Sequence, residues 1–423
     1  MGFRDLVEGS RIVSDPVSVN FDMREESISS GNDPILFTDI IEAPGHGVVM
    51  NILTRQRLCE AFGVEPGELI DILSWAMENP TDPILVNRDS ARVLENTLEE
   101  TDLLRLPIPW HYREDRGRYQ SSSIIIAQYG GYRNTSFHRQ LVESKDSTSV
   151  RLVPRHLRTM VNEAQENNDE VSIAVVNGPD PVVLLAAAMS FDEPLDELKV
   201  AAALHERLYG VKLEMVELAN GVIVPANAEY AMEARITTST REEGPYVDIT
   251  GTVDEIRLEP VIEYDSIHHR DKPIFHGLIP AGVEHMTLMG LPRAPTIKTA
   301  VSEVVTCTDV YLTDGGSGWL SSVVQIIPKE IGDGMKAIQA ALDGHKSMKQ
   351  VIVVDEDIDV TSSSRVEWAL MTRWQPDKDT LILSNQKGSS LDPSRSLDGT
   401  TSKIGIDATI EPGVDRSPFE SVL

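Results

Sequence analysis

The sequence contains little cysteine, and this scarcity argues against two kinds of site. The two cysteines among the 423 residues, Cys59 and Cys307, lie far apart along the chain. Their number and spacing exclude the framework of disulfide bonds that holds many small secreted domains together. They also argue against a zinc site built from cysteine pairs, so a bound metal would need other ligands.

Long apolar runs and positive charge are also scarce. The longest apolar stretch, PVVLLAAAM at 181–189, is too short to cross a bilayer, and the N-terminus does not have the pattern of a signal peptide. The 67 acidic residues outnumber the 38 basic ones and give a net charge of −29. Such a chain repels nucleic acid and anionic membranes, so we expect neither as a partner. We expect a soluble, cytoplasmic protein in which an anionic substrate needs a local basic patch.

Glycine-rich phosphate-binding loops are missing as well. No Gly-x-Gly-x-x-Gly or Walker sequence follows a segment with the pattern of a strand. A standard dinucleotide or nucleoside triphosphate site is therefore not expected.

The length and the periodicity of the chain predict a multidomain protein of the α+β and α/β classes. Residues 1–105 mix strand and helix patterns and include a predicted helix at 89–104. Residues 106–295 are rich in β-branched and alternating segments, which fits a sheet or split β-barrel; helices are predicted at 154–167 and from Asp192 to about Leu208. Residues 296–423 return to strand–helix–strand spacing, which predicts a doubly wound parallel sheet.

Two acidic stretches follow predicted strands, and each has two interpretations. The acids of DEDID, at 355–359, are either metal ligands or, as is more common, solvated loop residues. In REEGPYVDITG, at 241–251, Glu243 and Asp248 flank a Gly-Pro corner. That segment is either a polar hairpin turn or a pair of carboxylates facing one cavity, where they could divide acid and base roles.

Three other polar residues lie in apolar, strand-associated surroundings. Asn134 follows a Gly-Gly turn, His156 opens a predicted helix behind Pro154, and Glu197 lies early in another predicted helix. Oxygen ligands with one imidazole suit Mn²⁺ or Mg²⁺ better than Zn²⁺. Each residue taken alone is more often a helix cap or a surface group.

An ordered series of segments resembles the UbiD family of decarboxylases over nearly the whole chain. The segments are NTSFHR, PRHLRTM, AAAMSFDEPLDELKVAAAL, VPANAEYAMEARI, EEGPYVDITG, VDEDIDV with VEWALMTR, and GSSLDPS with TSKIGIDAT. The resemblance implies an N-terminal α/β domain (1–105), a central split β-barrel that binds a flavin (106–295) and a C-terminal α/β domain used in oligomer contacts (296–423). It also implies a homo-oligomer, either a dimer or a hexamer.

The resemblance implies prenylated FMN as the cofactor, supplied by a flavin prenyltransferase and held with Mn²⁺ (or Mg²⁺) and K⁺. The family's metal ligands fall on Asn134, His156 and Glu197, which bridge the metal to the cofactor phosphate. The other expected cofactor contacts are Thr135, Ser136 and Pro154 in the same segments, Ala187 and Met189 near K⁺, and Lys403 at the phosphate.

The family's catalytic set falls on Arg139, Glu243 and Asp248. The chain has EGPYVD where the family pattern is EGPFGE, so the second carboxylate is an aspartate and stands about 1.5 Å further back than a glutamate would. The resemblance implies that the cofactor delocalises the electrons left by CO₂. A carboxylic acid, assigned to Asp248 with Glu243 as the alternative, then protonates the carbon, and Arg139 supplies fixed positive charge.

The family acts on α,β-unsaturated and aromatic acids. The short chain resembles a compact archaeal branch whose substrate is trans-anhydromevalonate 5-phosphate and whose products are isopentenyl phosphate and CO₂, in the mevalonate pathway. His138 and the IHHR segment at 267–270 could bind the substrate phosphate, although IHHR is equally well explained as an exposed strand end. The alternatives are an aromatic, hydroxybenzoate-type acid decarboxylase and a non-catalytic flavin-binding protein, and the retained catalytic set argues against the second.

Overall fold

The computed structural model describes residues 2–191 and 194–419. The chain divides into two compact units, one formed by residues 1–63 and 76–285 and the other by residues 64–75 and 286–423. This division does not test the three sequence-based domain boundaries, which stay predictions. No helix among the described residues is long and apolar enough to cross a membrane.

The first unit is built on a large antiparallel sheet that curls into a half-barrel. In spatial order its strands are Tyr119–Gln120, Gln140–Val142, Ser147–Val150, Arg257–His269, Tyr230–Glu243, Val171–Asn177, Ile124–Tyr129 and Tyr132–Phe137, with Asn96–Thr97 also paired to Arg257–His269. The β-branched runs at 124–126 and 171–176 lie in the buried interior of this sheet, as their composition predicts. The half-barrel confirms the expected mixed fold.

Smaller elements surround this sheet within the first unit. Arg11–Val13, Ile35–Phe37, Gly47–Met50 and Ile274–His276 form a second sheet, Ile84–Leu85, Glu214–Glu217 and Ile223–Pro225 a third, and Tyr246–Val247 pairs with Val253–Asp254 as a hairpin. The helices are Phe3–Val7, Asp22–Ser29, Arg55–Phe62, His156–Glu166, Pro181–Ala188 and Glu197–Tyr209; short 3-10 turns lie at Arg88–Ser90, Arg92–Leu94 and Leu103–Arg105. Helices Pro66–Glu78 and Val283–Gly290 each run across the division between the units.

The second unit is an α/β sheet with the strand order Thr306–Leu312, Ser321–Ile327, Gln350–Asp355, Thr400–Ala408 and Thr380–Lys387. The three inner strands are parallel, as the strand–helix–strand spacing predicts, and the two edge strands are antiparallel. Its other helices are Ala294–Ser302, Asp333–Gly344 and Ser363–Arg373, with 3-10 turns at Leu291–Arg293, Asp314–Gly316 and Ser417–Phe419.

Two predicted helices differ from the structure. Residues 89–104 form short turns and the edge strand Asn96–Thr97 instead of a helix, because Leu98 N–H donates to the Ile267 carbonyl and extends the large sheet. The helix expected from Asp192 begins at Glu197, since the side chain of Asp196 accepts the Leu198 N–H and caps it there. Asp192 itself lies outside the described residues.

Two acids of DEDID, Asp355 and Asp357, pair with arginines. The solvated-loop interpretation is wrong for the buried Asp355 but fits Asp357, Glu356 and Asp359, which are exposed. Asp355 is fully buried and accepts hydrogen bonds from Arg373 at 2.8 Å, Arg416 at 3.3 Å and the Ile410 N–H at 3.0 Å. Arg373 also holds Asp357 through both terminal nitrogens. With their oxygens bound to guanidinium groups, these acids stabilise the second unit.

Candidate active site

The guanidinium of Arg139 lies at the centre of a cluster of carboxylates in the first unit. Its Nε and Nη2 donate to the two carboxylate oxygens of Glu243, both at 2.9 Å. Nη1 donates to Asp248 Oδ2 at 2.7 Å, and Nη2 also donates to Asp254 Oδ2 at 2.9 Å. The structure thus brings together the three residues assigned from the family resemblance and adds Asp254, which sequence reasoning missed.

Burial differs among the members of this cluster. The side chain of Glu243 is fully buried and that of Arg139 is 8% exposed, whereas Asp248 and Asp254 are 23% and 24% exposed. Burial opposes the charge of Arg139, but the hydrogen bonds and charges of the carboxylates outweigh it and hold the pKa of Arg139 above its usual value. Arg139 is therefore a permanent cation, and Asp248 is placed between it and solvent.

The Gly-Pro corner positions Glu243 and Asp248, which lie on either side of it. Strand Tyr230–Glu243 ends at Glu243, and Gly244 follows with φ of +93°. A Cβ on Gly244 would lie 2.9 Å from the Glu255 carbonyl oxygen, so this position favours glycine on both counts. The ring centroid of Tyr246 lies 4.6 Å from Arg139 Cζ, which fixes the guanidinium plane over the corner.

Residues 115–119 hold this corner. Asp115 Oδ1 accepts the Val247 N–H at 2.7 Å, one residue before Asp248, and Arg116 N–H donates to the Pro245 carbonyl. Burial raises the pKa of Asp115 to about 6, although the Val247 N–H opposes that rise. The tyrosine at 119 packs its ring on Tyr246, with centroids 4.5 Å apart.

His285 is a second residue that sequence reasoning missed. Its Nδ1 accepts the Ala281 N–H at 3.2 Å. Burial lowers the pKa of His285, and the negative charges of Asp248 and Glu284 oppose that decrease, so the imidazole lies within electrostatic range of Asp248. Glu284 fixes this helix start by accepting the N–H groups of Asn51 and Leu53. A histidine that follows a glutamate in a helix carries no sequence signal of its own.

The expected metal ligands Asn134 and Glu197 are in direct contact. Asn134 Nδ2 donates to Glu197 Oε1 at 2.9 Å, and the Thr135 N–H donates to Glu197 Oε2 at 2.8 Å. Ser136 Oγ donates to Asn134 Oδ1 at 2.7 Å. Burial raises the pKa of Glu197 to about 8, against the hydrogen bond from Thr135. A cation beside Glu197 would remove this penalty on its charged form.

The strand Tyr132–Phe137, which carries Asn134, is packed against three helices that bear the other expected contacts. His156 is the first residue of helix His156–Glu166, Ala187 lies in the last turn of helix Pro181–Ala188, and Met189 follows it. Carbonyl groups in a last helical turn lack intrahelical donors, which suits cation binding.

The donor set fits a phosphate-bearing cofactor held through a metal. The described residues contain no cluster of three or more His, Cys, Asp or Glu that could hold a metal. A metal there would therefore need a mixed set such as Asn, His and Glu. Within the described part of the chain, Thr135 Oγ1 is buried without a hydrogen-bond partner, and a ligand oxygen would satisfy it.

Other expected contacts lie elsewhere or are already engaged. Pro154 is exposed just before helix His156–Glu166. Lys403 belongs to the second unit, where its ammonium donates to the Lys346 carbonyl at 2.5 Å. His138 Nε2 lies 2.9 Å from Ser136 Oγ, and burial lowers the pKa of His138 to about 4, so this imidazole is a poor phosphate ligand.

The IHHR segment is likewise occupied by contacts within the first unit. His268 Nε2 is 2.9 Å from Glu233, and Arg270 Nη1 is 3.4 Å from the buried Glu229. His269 packs its ring against Tyr230. These side chains support the sheet, and the structure gives no support for a phosphate-binding role.

Comparison with known families identifies the family of this chain. The model of the UbiD 3-octaprenyl-4-hydroxybenzoate carboxy-lyase Rift-related domain matches residues 84–283, and the model of the C-terminal domain of the same carboxy-lyase matches residues 286–408. The chain therefore belongs to the UbiD family of carboxy-lyases.

Individual relatives refine this assignment. The anhydromevalonate phosphate decarboxylase of Methanosarcina mazei is 39% identical over 100% of this chain and 99% of its own length. That of Methanocaldococcus jannaschii is 40% identical over 92% of this chain and 91% of its own. Among solved structures, the UbiD-class enzyme HmfF from Pelotomaculum thermopropionicum in complex with FMN has a TM-score of 0.94 at 33% identity, covering 100% of this chain and 97% of that one.

Proposed function

We propose that this protein decarboxylates trans-anhydromevalonate 5-phosphate to isopentenyl phosphate and CO₂ with prenylated FMN as its cofactor. Full-length similarity to archaeal anhydromevalonate phosphate decarboxylases supports the choice of substrate. The observation that carries the reaction type is the single guanidinium of Arg139, which holds both Glu243 and Asp248. A fixed cation and two carboxylates of unequal burial are what a site needs to hold a substrate carboxylate and then return a proton.

In this proposal, Asn134, His156 and Glu197 would hold Mn²⁺ or Mg²⁺ near the cofactor, and Thr135 Oγ1 would be available to donate to its phosphate. Carbonyl groups at Ala187 and Met189 would hold K⁺, and Ser136, Pro154 and Lys403 remain candidate contacts of the cofactor. When bound, prenylated FMN supplies an electron sink for the pair left behind as the bond to CO₂ breaks.

The side chains of the Arg139 cluster would manage the charges and the proton. Arg139 orients the substrate carboxylate by charge and hydrogen bonding. Asp248, the more exposed of the two assigned carboxylates, donates its proton to the carbon that has lost CO₂. Glu243 stays buried on the guanidinium and keeps it in place.

A turnover assay tests this proposal. The protein would be co-expressed with a flavin prenyltransferase, purified with bound cofactor, and offered trans-anhydromevalonate 5-phosphate beside a panel of aromatic acids that includes 4-hydroxybenzoate and gallate. We expect CO₂ release from the phosphorylated acid and little from the panel. Release from an aromatic acid alone would support the alternative substrate class. Bound cofactor with no CO₂ from any acid would indicate a flavin-binding protein.

The assembly state is a separate part of the proposal. We propose a homo-oligomer, a dimer or a hexamer, on the family resemblance, and one solved UbiD-class relative is an evolved dimeric form of HmfF. Light scattering coupled to size-exclusion chromatography would give the mass in solution, and a mass near 46.7 kDa would contradict the proposal.

A further inference from the structure

Asp254 occupies a place in the Arg139 cluster that the proposed reaction has not yet used. Its Oδ2 accepts from Arg139 Nη2 at 2.9 Å and pairs with Arg257 Nη1 at 2.8 Å. The hairpin fixes this placement, because Asp254 pairs with Tyr246 across it, two residues before Asp248. Asp254 and Asp248 therefore share one guanidinium and one hairpin.

The charges of this cluster do not balance when every group is ionised. Arg139 and Arg257 carry two positive charges, and Glu243, Asp248 and Asp254 carry three negative ones. The sum is one negative charge in a site whose central members are buried. Because burial makes net charge unfavourable, this excess charge is costly where the cluster is buried.

The contacts indicate which carboxylate would lose the fewest interactions on becoming neutral. Glu243 is fully buried and holds Arg139 through two charge-assisted hydrogen bonds, which protonation would weaken. Burial alone would raise the pKa of Asp254, but Arg257 and Arg139 outweigh it and hold that pKa below its usual value. Asp248 has one guanidinium contact and the Ile249 N–H, so it loses least by becoming neutral.

We propose that Asp254 is a positioning residue that acts through Arg139 to keep a proton on Asp248 and to free Asp248 for the reaction. When Asp248 is neutral and turns away, Arg139 still has Glu243 and Asp254 as partners, so no buried cation is left unpaired. The remaining four charges then sum to zero. This inference rests on the proposed decarboxylation, in which Asp248 is the proton donor.

Other charged or titratable groups also face this cluster. Asp115 lies within electrostatic range of Arg139, and His285 within range of Asp248. The Tyr246 ring packs on the guanidinium and the Tyr119 ring packs on Tyr246, and burial keeps the pKa of both phenols above its usual value. These groups are unchanged by substitution at Asp254, so they set a common background for the comparison of variants.

The test is a pH profile of the cofactor-loaded enzyme and three variants. Asp254→Asn removes one negative charge, so the cluster is neutral with Asp248 ionised. Activity that needs protonated Asp248 is lost as pH rises, which gives the pH profile a falling alkaline limb. In Asp254→Asn we expect this limb to lie about one pH unit lower than in the wild type. At a pH above that limb, kcat should fall about tenfold with KM little changed. Asp254→Glu, which keeps the charge, should keep the limb close to its wild-type pH.

Glu255→Gln is the matched control. It removes the same charge from the next residue of the same hairpin, where Glu255 is 86% exposed and pairs with Arg257 at 3.7 Å. Its pH profile should coincide with that of the wild type. A limb that is unmoved in Asp254→Asn, or moved equally in Asp254→Glu or Glu255→Gln, overturns the inference.

A measurement on the cofactor-free protein separates this inference from the proposed function. NMR of protein labelled with ¹³C at the aspartate carboxyl groups follows Asp248 directly. The resonance of Asp248 is identified by its absence from Asp248→Asn, and its chemical shift against pH reports the protonation of Asp248. We expect its midpoint to lie at lower pH in Asp254→Asn than in the wild type. A midpoint that moves while the wild type releases no CO₂ from any acid supports the coupling and refutes the function. An active wild type with an unmoved midpoint refutes the coupling.

Discussion

Replacing Arg139 by leucine should destabilise the first unit more than replacing Glu243 by leucine, although the two residues share the same pair of hydrogen bonds. Removing Arg139 leaves three carboxylates, one of them fully buried, with Arg257 on Asp254 as the remaining cation. Removing Glu243 leaves the guanidinium with two carboxylate partners, Asp248 at 2.7 Å and Asp254 at 2.9 Å. The first change therefore creates an unpaired buried charge and the second does not.

The magnitudes follow from this difference. Breaking a buried pair so that one charge is left unpaired costs about 3–5 kcal/mol, and we expect Arg139→Leu to lie at the upper end of that range. Glu243→Leu loses charge-assisted hydrogen bonds but leaves no orphaned charge, so we expect about 2 kcal/mol. The penalty of Arg139→Leu should also be smaller at pH 5.5 than at pH 8, because protonation can neutralise the abandoned carboxylates.

Pulsed hydrogen exchange across a urea series, read on peptides from residues 230–247 of the cofactor-free protein, would measure the free energy of opening of this region. Asp265→Asn serves as a control, because Asp265 is 53% exposed on Arg235, away from the cluster. The reasoning is refuted if Glu243→Leu is as destabilising as Arg139→Leu at pH 8, or if the penalty of Arg139→Leu does not depend on pH.

Three further outcomes are expected. Asp248→Asn should abolish CO₂ release while absorbance spectra show unchanged cofactor content, and undiminished turnover would contradict its role as proton donor. Asn134→Ala or His156→Ala should empty the cofactor site, so metal analysis and flavin absorbance at wild-type levels would contradict the ligand set. Asp115→Asn keeps an acceptor for the Val247 N–H and removes a buried carboxylate whose pKa is raised to about 6. Because the pKa of Asp115 is raised on folding, its contribution to stability is lost as pH rises from about 4 to 6. The variant should therefore be about 2 kcal/mol more stable than wild type at pH 7.5, and a less stable variant in urea unfolding would show that the hydrogen bond needs the charge.

The parts of the fold that could be predicted are those fixed by local pattern. The β-branched runs at 124–126 and 171–176 formed strands because a two-sided apolar surface suits a buried sheet. Residues 89–104 were predicted as a helix because local pattern cannot show that 96–98 add to the edge of strand Arg257–His269. The apolar run at 181–189 gave no periodicity, and its helix, Pro181–Ala188, is buried on all sides.

The candidate site also contains residues that could be predicted and residues that could not. The resemblance supplied Arg139, Glu243 and Asp248 because they lie in segments with a recognisable order. It did not supply Asp254, since a lone aspartate in TVDEIR becomes a partner of Arg139 only through the register that sets it opposite Tyr246. The partners of the DEDID acids, Arg373 and Arg416, lie 18 and 61 residues after Asp355. Neither the pairing of Asp254 with Arg139 nor that of the DEDID acids with their arginines has a regular sequence spacing by which it could be recognised.

The two acidic clusters illustrate why the balance of acidic and basic side chains, rather than the number of carboxylates alone, separates a structural network from a reactive one. In the second unit, Asp355 and Asp357 are matched by Arg373 and Arg416, so two negative charges meet two positive ones and no proton is needed. In the first unit, three carboxylates meet Arg139 and Arg257, which leaves one negative charge in excess. This excess of one negative charge is what the proposed coupling between Asp254 and Asp248 requires of the cluster. In the proposed reaction, the partial exposure of Asp248 and Asp254 on their hairpin would let the proton reach a substrate.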